Sequence, residues 1–205
     1  LATGIKLANP QRTVIAVGGD GDGFSIGGGH ISHAARRNAD ITYIVMDNNI
    51  YGMTKGQPSP TTPMGVQRKA SPYGTQEDPL NPLMLLLACN ASFVARAFSG
   101  EIKQMIEIFK AAIQHEGFSF VQVLSPCVTL YNTYDHYKAI TKPLPEDHDP
   151  TDLMDAMRLA FEAESQYLGV FYCDPHRPTY TQRMQTTRDS AVPTTMEEVM
   201  KRYLR

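Results

Sequence analysis

Cysteine is scarce in this chain of 205 residues: Cys89, Cys127 and Cys173 are widely spaced and odd in number. They make no disulfide framework, and alone they cannot supply a four-cysteine metal or iron–sulfur site. Read by spacing alone, each is a small buried hydrophobe, and the scarcity fits a reducing cytoplasm. Long apolar runs are missing too. The most apolar stretch, around Leu83 to Ala88, is far too short to span a bilayer. Leu1-Ala2-Thr3-Gly4 lacks the basic start and apolar core of a secretory signal. Neither sign of charge is in surplus, since 19 basic and 21 acidic residues leave a formal net charge of −2. That balance leaves no footprint for nucleic acid and no acidic disordered tail. Internal repeats and low-complexity tracts are absent. The chain also begins without methionine, as a fragment would.

What is present is an ordinary globular composition, 42% apolar and 20% charged, in a chain long enough for one domain with a real core. Strand and helix patterns alternate. Thr13–Gly18 reads as a strand and Ile26–Asn38 as a helix with Ile26, His30 and Ala34 on one face. Ile41–Asp47 is apolar throughout, as a parallel strand covered on both faces should be. Tyr51–Asp78 is rich in Pro, Gly, Thr and Ser and reads as a long ordered loop, a length usually functional in a compact domain. A helix over Leu80–Cys89 tolerates Pro82 only in its first turn. Then follow a strand (Ser92–Phe98), a helix (Glu101–His115) capped by Ser99 and ended at Gly117, and a buried strand (Phe118–Leu124). The expected fold is therefore α/β, a mainly parallel sheet with helices on both faces, over residues 1–141. Residues 142–205 read as an extension packing on the domain or a partner. It opens with a linker, Lys142–Pro150, and continues with a helix at Asp152–Glu164 capped by Thr151 or Asp152. A strand at Leu168–Cys173 and a helix at Thr195–Tyr203 complete it.

Chemistry concentrates between Gly19 and Thr62. Gly19-Asp20-Gly21-Asp22-Gly23 follows the first strand, and Asp47-Asn48-Asn49 ends the second. Ligands of parallel α/β sheets bind beyond the carboxyl ends of strands, where Asp20 and Asn48 both lie. The glycines let backbone approach a ligand, and the following helix aims amides at an anion. Two carboxylates in that loop would repel a bare phosphate. A magnesium ion carrying a diphosphate reconciles these facts, because magnesium takes one or two side-chain oxygens plus phosphate oxygens. The competing motifs fail at required positions. A dinucleotide fingerprint meets Phe24 or Ser32 where glycine is needed, a P-loop meets Gly29 and His30, and an EF-hand loop meets Ile31 at its last position.

Gly-Asp-Gly followed at this distance by Asn-Asn resembles the signature of thiamine diphosphate enzymes. The longer strings SIGGGHISHAARRN and DNNIYGMTKGQPSPTT, continued by Leu124-Ser125-Pro126-Cys127, are similar to the β subunits of 2-oxoacid:ferredoxin oxidoreductases, in the 2-oxoglutarate branch. The resemblance implies the thiamine diphosphate-binding fold, its diphosphate half, in a cytoplasmic enzyme. The implied reaction oxidatively decarboxylates a 2-oxoacid with coenzyme A and passes electrons to ferredoxin. It implies that Asp20, Asn48 and the Ile50 carbonyl bind magnesium, and that Gly21 and Asp22 lie against the diphosphate. Gly52 and Met53 fall near the same cofactor, Met53 toward the substrate, with Thr54 and Gln57 at the rim. Lys55 either offers charge to a substrate carboxylate or is solvated. His30 and His33 are expected to be packed or capping residues, and Arg36 and Arg37 surface or interface charges at a helix end.

Under this resemblance Cys127 becomes the last ligand of a [4Fe-4S] cluster, whose other cysteines would precede Leu1. An α subunit should complete the cofactor site, supplying the carboxylate that activates the pyrimidine and contacts to coenzyme A, in a dimer of heterodimers. A pyruvate- or indolepyruvate-type oxidoreductase, a non-redox decarboxylase and a non-catalytic cofactor-binding subunit stay open.

Overall fold

The computed structural model describes residues 1–162, 166–191 and 195–203. A short helix, α1 (Ala2–Ala8), leads into strand β1 (Ile15–Gly19). The acidic glycine turn is itself a single helical turn, α2 (Asp20–Phe24). The next helix, α3, begins at Gly28 and ends at Arg37. It does not start at Ile26, because the chain folds back through Ser25–Gly27, where the Gly27 amide donates to the Asp22 carbonyl at 2.8 Å. Ile26 is left exposed, and the buried face is Ile31, Ala34 and Ala35. Asn38, at φ 53°, ends the helix in the left-handed region.

Strand β2 (Ile41–Asp47) follows as expected, and the long loop opens with a small hairpin, β3 (Ile50–Tyr51) and β4 (Gln57–Pro58). Helix α4 (Pro82–Ala88) carries Pro82 in its first turn, and Asn81 caps it by accepting from the Met84 amide at 3.2 Å. Strand β5 (Phe93–Phe98) and helix α5 (Ile102–Gln114) come next. Glu101 rather than Ser99 holds the cap position of α5, without a side-chain capping bond. Strand β6 (Phe118–Leu124) begins just after Gly117, whose φ of 143° and tight contact with Ser92 and Asn38 leave no room for a Cβ.

Helix α6 (Tyr134–Ile140) and strand β7 (Thr141–Pro143) were not expected, and Lys142 and Pro143 belong to β7 rather than to a linker. Helix α7 (Leu153–Phe161) is capped by Asp152, which accepts from the Met154 and Asp155 amides; Ala163 and Glu164 of the longer helix expected here lie outside the described residues. Strand β8 (Gln166–Cys173), helix α8 (Tyr180–Ser190) and helix α9 (Met196–Tyr203) complete the chain, α8 being a further element without a sequence expectation.

Six strands form one sheet in the order β1-β2-β6-β5-β8-β7, and only the β5–β8 pairing is antiparallel. Helices cover both faces. Against one face, Ile31 and Ala35 of α3, Leu83 and Leu87 of α4 and Leu159 of α7 pack on Val45, Phe120 and Phe171. Against the other, Ile108 and Ala112 of α5 pack on Ile44, Ala95 and Val121. Strands β7 and β8 and helix α7 therefore share the sheet and core of the earlier part. The parallel register aligns the ends of β1, β2 and β6 along one edge, with Asp47 opposite Leu124. That edge carries the candidate site.

Candidate functional site

Asp20 begins α2 at the end of β1 and is 1% exposed. Its Oδ1 accepts from the Asn48 amide at 3.3 Å, so the two strand ends meet as their spacing implied. Its Oδ2 accepts from Ser59 Oγ at 2.5 Å and Thr61 Oγ1 at 3.0 Å. Asn48 is half-buried and turns its Oδ1 onto the Ile50 amide at 3.0 Å, which fixes the amide group beside the hairpin. Ile50 is buried. Asn49 follows Asn48 at φ 60°, a backbone conformation asparagine tolerates better than most residues.

A second buried carboxylate lies behind the first. Asp47 Oδ1 accepts from Thr61 Oγ1 at 2.8 Å and from the Asn49 amide and Nδ2, each at 3.2 Å. Asp47 Oδ2 accepts from Gln122 Nε2 at 2.7 Å, and Gln122 Oε1 accepts from Arg96 Nε at 2.9 Å. Thr61 is bonded to both carboxylates but has one hydroxyl proton, so it serves only one at a time. Burial raises the pKa of both acids, and the charge of Asp20 adds to the rise that takes Asp47 to about 6. Arg96, 4% exposed, is pulled down to about 10 by burial, against the opposing charge of Asp47. One buried guanidinium thus reaches Asp47 through an amide relay, and Thr61 links Asp47 to Asp20.

This arrangement fits a hard divalent cation. The Asp20 and Asn48 side chains offer oxygen without thiolate or imidazole, and each of the two oxygens Asp20 Oδ1 and Asn48 Oδ1 accepts only one bond, leaving a lone pair free. A cation there would also relieve the two competing acids. Sequence reasoning missed Ser59, Thr61, Gln122 and Arg96. The available signal was a long polar side chain inside each of two mainly apolar strands, Arg96 in β5 and Gln122 in β6.

The remaining candidates fall into three groups. Gly21 is buried under Tyr51, whose ring fills the space where a Cβ would stand and whose hydroxyl donates to the Gly21 carbonyl at 3.0 Å. Asp22 turns its carboxylate back, accepting from the Gly19 amide at 2.6 Å to close the first turn of α2. At the hairpin tip, Gly52 is half-buried and Met53 is 99% exposed, while Thr54 Oγ1 donates to Gln57 Oε1 at 2.6 Å. Lys55 is exposed at φ 77°. Cys127 leaves the sheet from the same edge after β6, in a turn closed by the Tyr131 amide on its carbonyl at 2.9 Å. The long loop clasps that turn through Arg68, which lies 4.1 Å over the Tyr131 ring and donates to the Leu130 carbonyl at 2.9 Å.

His30 and His33 are not packed; both are exposed on α3 because its buried face runs through Ile31, Ala34 and Ala35. Arg36 and Arg37 are exposed in its last turn. The three cysteines are free, and no group of three or more His, Cys, Asp or Glu among the described residues could hold a metal. The [4Fe-4S] expectation thus finds one candidate cysteine here, Cys127, and no assembled ligand set among the described residues. Among the described residues no helix is long and apolar enough to cross a membrane.

The family profile described as "Thiamine pyrophosphate enzyme, C-terminal TPP binding domain" matches residues 1–123. Fold and profile together make this a member of the thiamine pyrophosphate-binding domain family. A second profile, for the C-terminal part of the pyruvate ferredoxin oxidoreductase beta subunit, matches residues 127–189. The chain is 40% identical over 197 residues to subunit beta of 2-oxoacid:ferredoxin oxidoreductase 1 from Aeropyrum pernix, covering 89% of this chain and 62% of the relative. A second 2-oxoacid:ferredoxin oxidoreductase subunit beta, from Saccharolobus solfataricus, is 40% identical over 198 residues, with 89% and 65% coverage. A solved structure of 2-oxoglutarate:ferredoxin oxidoreductase from Magnetococcus marinus, bound to 2-oxoglutarate, coenzyme A and succinyl-CoA, superposes with a TM-score of 0.89 at 42% identity. It covers 98% of this chain and 70% of that one. The chain belongs to the 2-oxoacid:ferredoxin oxidoreductase beta-subunit family, and it spans 62–65% of the length of these two curated relatives.

Proposed function

We propose that the chain is the diphosphate-binding part of the β subunit of a cytoplasmic 2-oxoacid:ferredoxin oxidoreductase. The proposed reaction converts 2-oxoglutarate, coenzyme A and oxidised ferredoxin to succinyl-CoA, carbon dioxide and reduced ferredoxin. The single observation that carries this reading is the meeting of Asp20 and Asn48 from two strand ends, over a buried acid pair short of positive charge. The substrate and coenzyme follow the solved relative, whose name and contents include both.

Asp20, Asn48 and the Ile50 carbonyl would hold magnesium. Ser59 and Thr61 fix the Asp20 carboxylate by occupying its Oδ2, and the Ile50 amide fixes the Asn48 oxygen. Gly21 and Asp22 would border the diphosphate. Gly52, Met53 and Thr54 would wall the pocket, and the Thr54–Gln57 bond stiffens that rim. When bound, thiamine diphosphate supplies the electron sink that lets a 2-oxoacid lose carbon dioxide. The exposed Met53 side chain suits a site closed by another subunit. That subunit, α, would bring the carboxylate and coenzyme A contacts in a dimer of heterodimers. Cys127 is offered as one ligand of a [4Fe-4S] cluster completed from elsewhere; this chain alone does not fit the cluster.

Two measurements test the reading. Asp20→Ala in the intact complex is expected to lose at least ~100-fold in magnesium–thiamine diphosphate affinity, and full occupancy would refute the ligand assignment. Acceptor reduction by the wild-type complex should run with 2-oxoglutarate. Reduction with pyruvate alone would favour the substrate named by the profile over residues 127–189.

A further inference from the structure

The last two helices behave unlike the rest of the chain. No residue of α8 is buried. In α9, Met196 (75% exposed), Val199, Met200 (51%) and Tyr203 (83%) recur at the i, i+3, i+4, i+7 spacing of one helical face, and none of them is buried. Short helices normally draw their stability from packing such a face. Here local bonds do the work. Thr179 and Gln182 form a capping box for α8, Thr195 and Glu198 bond reciprocally at the start of α9, and Lys201 pairs with Glu197 at 2.8 Å. The helices are formed, yet none of the apolar side chains they present is buried among the described residues.

Their root is fixed. The Tyr180 amide donates to the Asn38 carbonyl at 3.1 Å, and Asn38 Nδ2 donates to the Arg177 and Pro178 carbonyls at 3.0 and 3.3 Å. Between α8 and the end of α3 lies a cleft of about 840 Å³ lined by Arg36, Arg37, Arg183 and Arg188, with no Asp or Glu in its wall. None of these arginines joins an ion pair among the described residues. Buried beside them, Arg177 Nη1 has no hydrogen-bond partner among the described residues, and its Nη2 donates to the Arg36 carbonyl at 3.1 Å. The cleft sits where α3 runs into β2, at the amino end of the strands. It is therefore roughly 20 Å, the length of β2, from the edge bearing Asp20 and Asn48.

We propose that α8 and α9 form a docking arm for the companion α subunit. The Met196–Val199–Met200–Tyr203 face enters an apolar groove on that subunit, and acidic side chains of the same subunit engage Arg36, Arg37, Arg183 and Arg188. The occupant is argued by charge: a second copy of this chain would bring the same uncompensated arginines against themselves. The proposal rests on the β-subunit reading, but it concerns assembly and leaves the remote cofactor site intact.

The test uses the full-length protein in its complex with the companion subunit. Subunit dissociation is followed on dilution by sedimentation, alongside turnover at concentrations where assembly is complete. The triple variant Met196→Glu, Met200→Glu, Tyr203→Ser should weaken association at least ~100-fold. The pair Arg183→Glu, Arg188→Glu should weaken it at least ~10-fold and flatten its dependence on salt. In both, turnover of the assembled complex and thermal melting of the β chain should match wild type. Association at wild-type affinity in both variants would overturn the proposal. So would a loss confined to β–β self-association, the signature of a second copy as occupant. Failure of wild-type complex to oxidise any 2-oxoacid would instead sink the functional reading, whatever the arm does.

Discussion

The carboxyl edge of the sheet and the carboxyl-terminal helices invert each other. At the sheet edge, charged groups are buried and the chain supplies their partners: Asp47 has Gln122, Asn49 and Thr61, and Arg96 reaches it through Gln122. In α8 and α9, apolar and basic side chains stand in solvent, and beyond the bond at Tyr180 that roots α8 the described residues supply local caps. Substituting a partner at the edge should therefore damage the isolated chain, because a buried charge left alone is costly. Substituting a residue of the arm should damage only an assembly.

The largest effect that sharpens this contrast is expected at Arg96. Arg96→Met keeps the volume of a long side chain but leaves Asp47 without the buried cation that reaches it through Gln122. About 3 kcal/mol of stability should be lost in urea unfolding of cofactor-free protein. A loss below about 1 kcal/mol would show that the acids are already neutral there, and the edge would no longer count as a charge network. Gly21 gives the next largest effect. Gly21→Ala drives a methyl into the Tyr51 ring and should cost about 2 kcal/mol, with the Tyr51–Gly21 bond displaced. Adding Tyr51→Leu should recover part of that loss, a non-additivity expected of residues in contact.

Much of this edge was legible in the sequence for a simple reason. Strand ends, glycines and paired oxygen residues are local patterns, so Asp20 and Asn48 could be matched without knowing the sheet order. The network behind them was not, because Thr61, Arg96 and Gln122 come from three segments that only the β2–β6–β5 order brings together. Helix α3 shows the converse error. A face drawn through Ile26, His30 and Ala34 assumed an uninterrupted helix, but the Gly27–Asp22 bond breaks it and shifts the buried face by one residue. The antiparallel strand β8 reads locally like any buried strand, and its direction is set by the partner it finds, β5. Helix α8 did leave a trace, the Thr179-to-Gln182 capping box, hidden because the helix has no apolar periodicity to accompany it.

A smaller effect tests the acid pair by pH. Asp47 has a pKa near 6 in the folded chain, above the ordinary carboxylate value. Between about pH 4 and about pH 6 the folded state binds more protons than the unfolded state, so stability falls as pH rises through that window and levels above it. Asp47→Asn keeps an acceptor for Thr61 and cannot ionise. Its cofactor-free melting temperature should lose most of that decline, and an undiminished decline would assign it to other groups.

The smallest effect probes the other side of the contrast. Met200 is half exposed on a helix whose apolar face has no buried residue among the described residues, so Met200→Glu removes no buried contact there. In the isolated chain its unfolding free energy should stay within about 0.5 kcal/mol of wild type, the range of ordinary surface substitutions. The same substitution is one of the three expected to break subunit association. A clear loss of stability in the isolated chain would mean that α9 packs on its own domain. Then the two regions would cease to differ in kind, and the exposed face would be a late-forming part of one core.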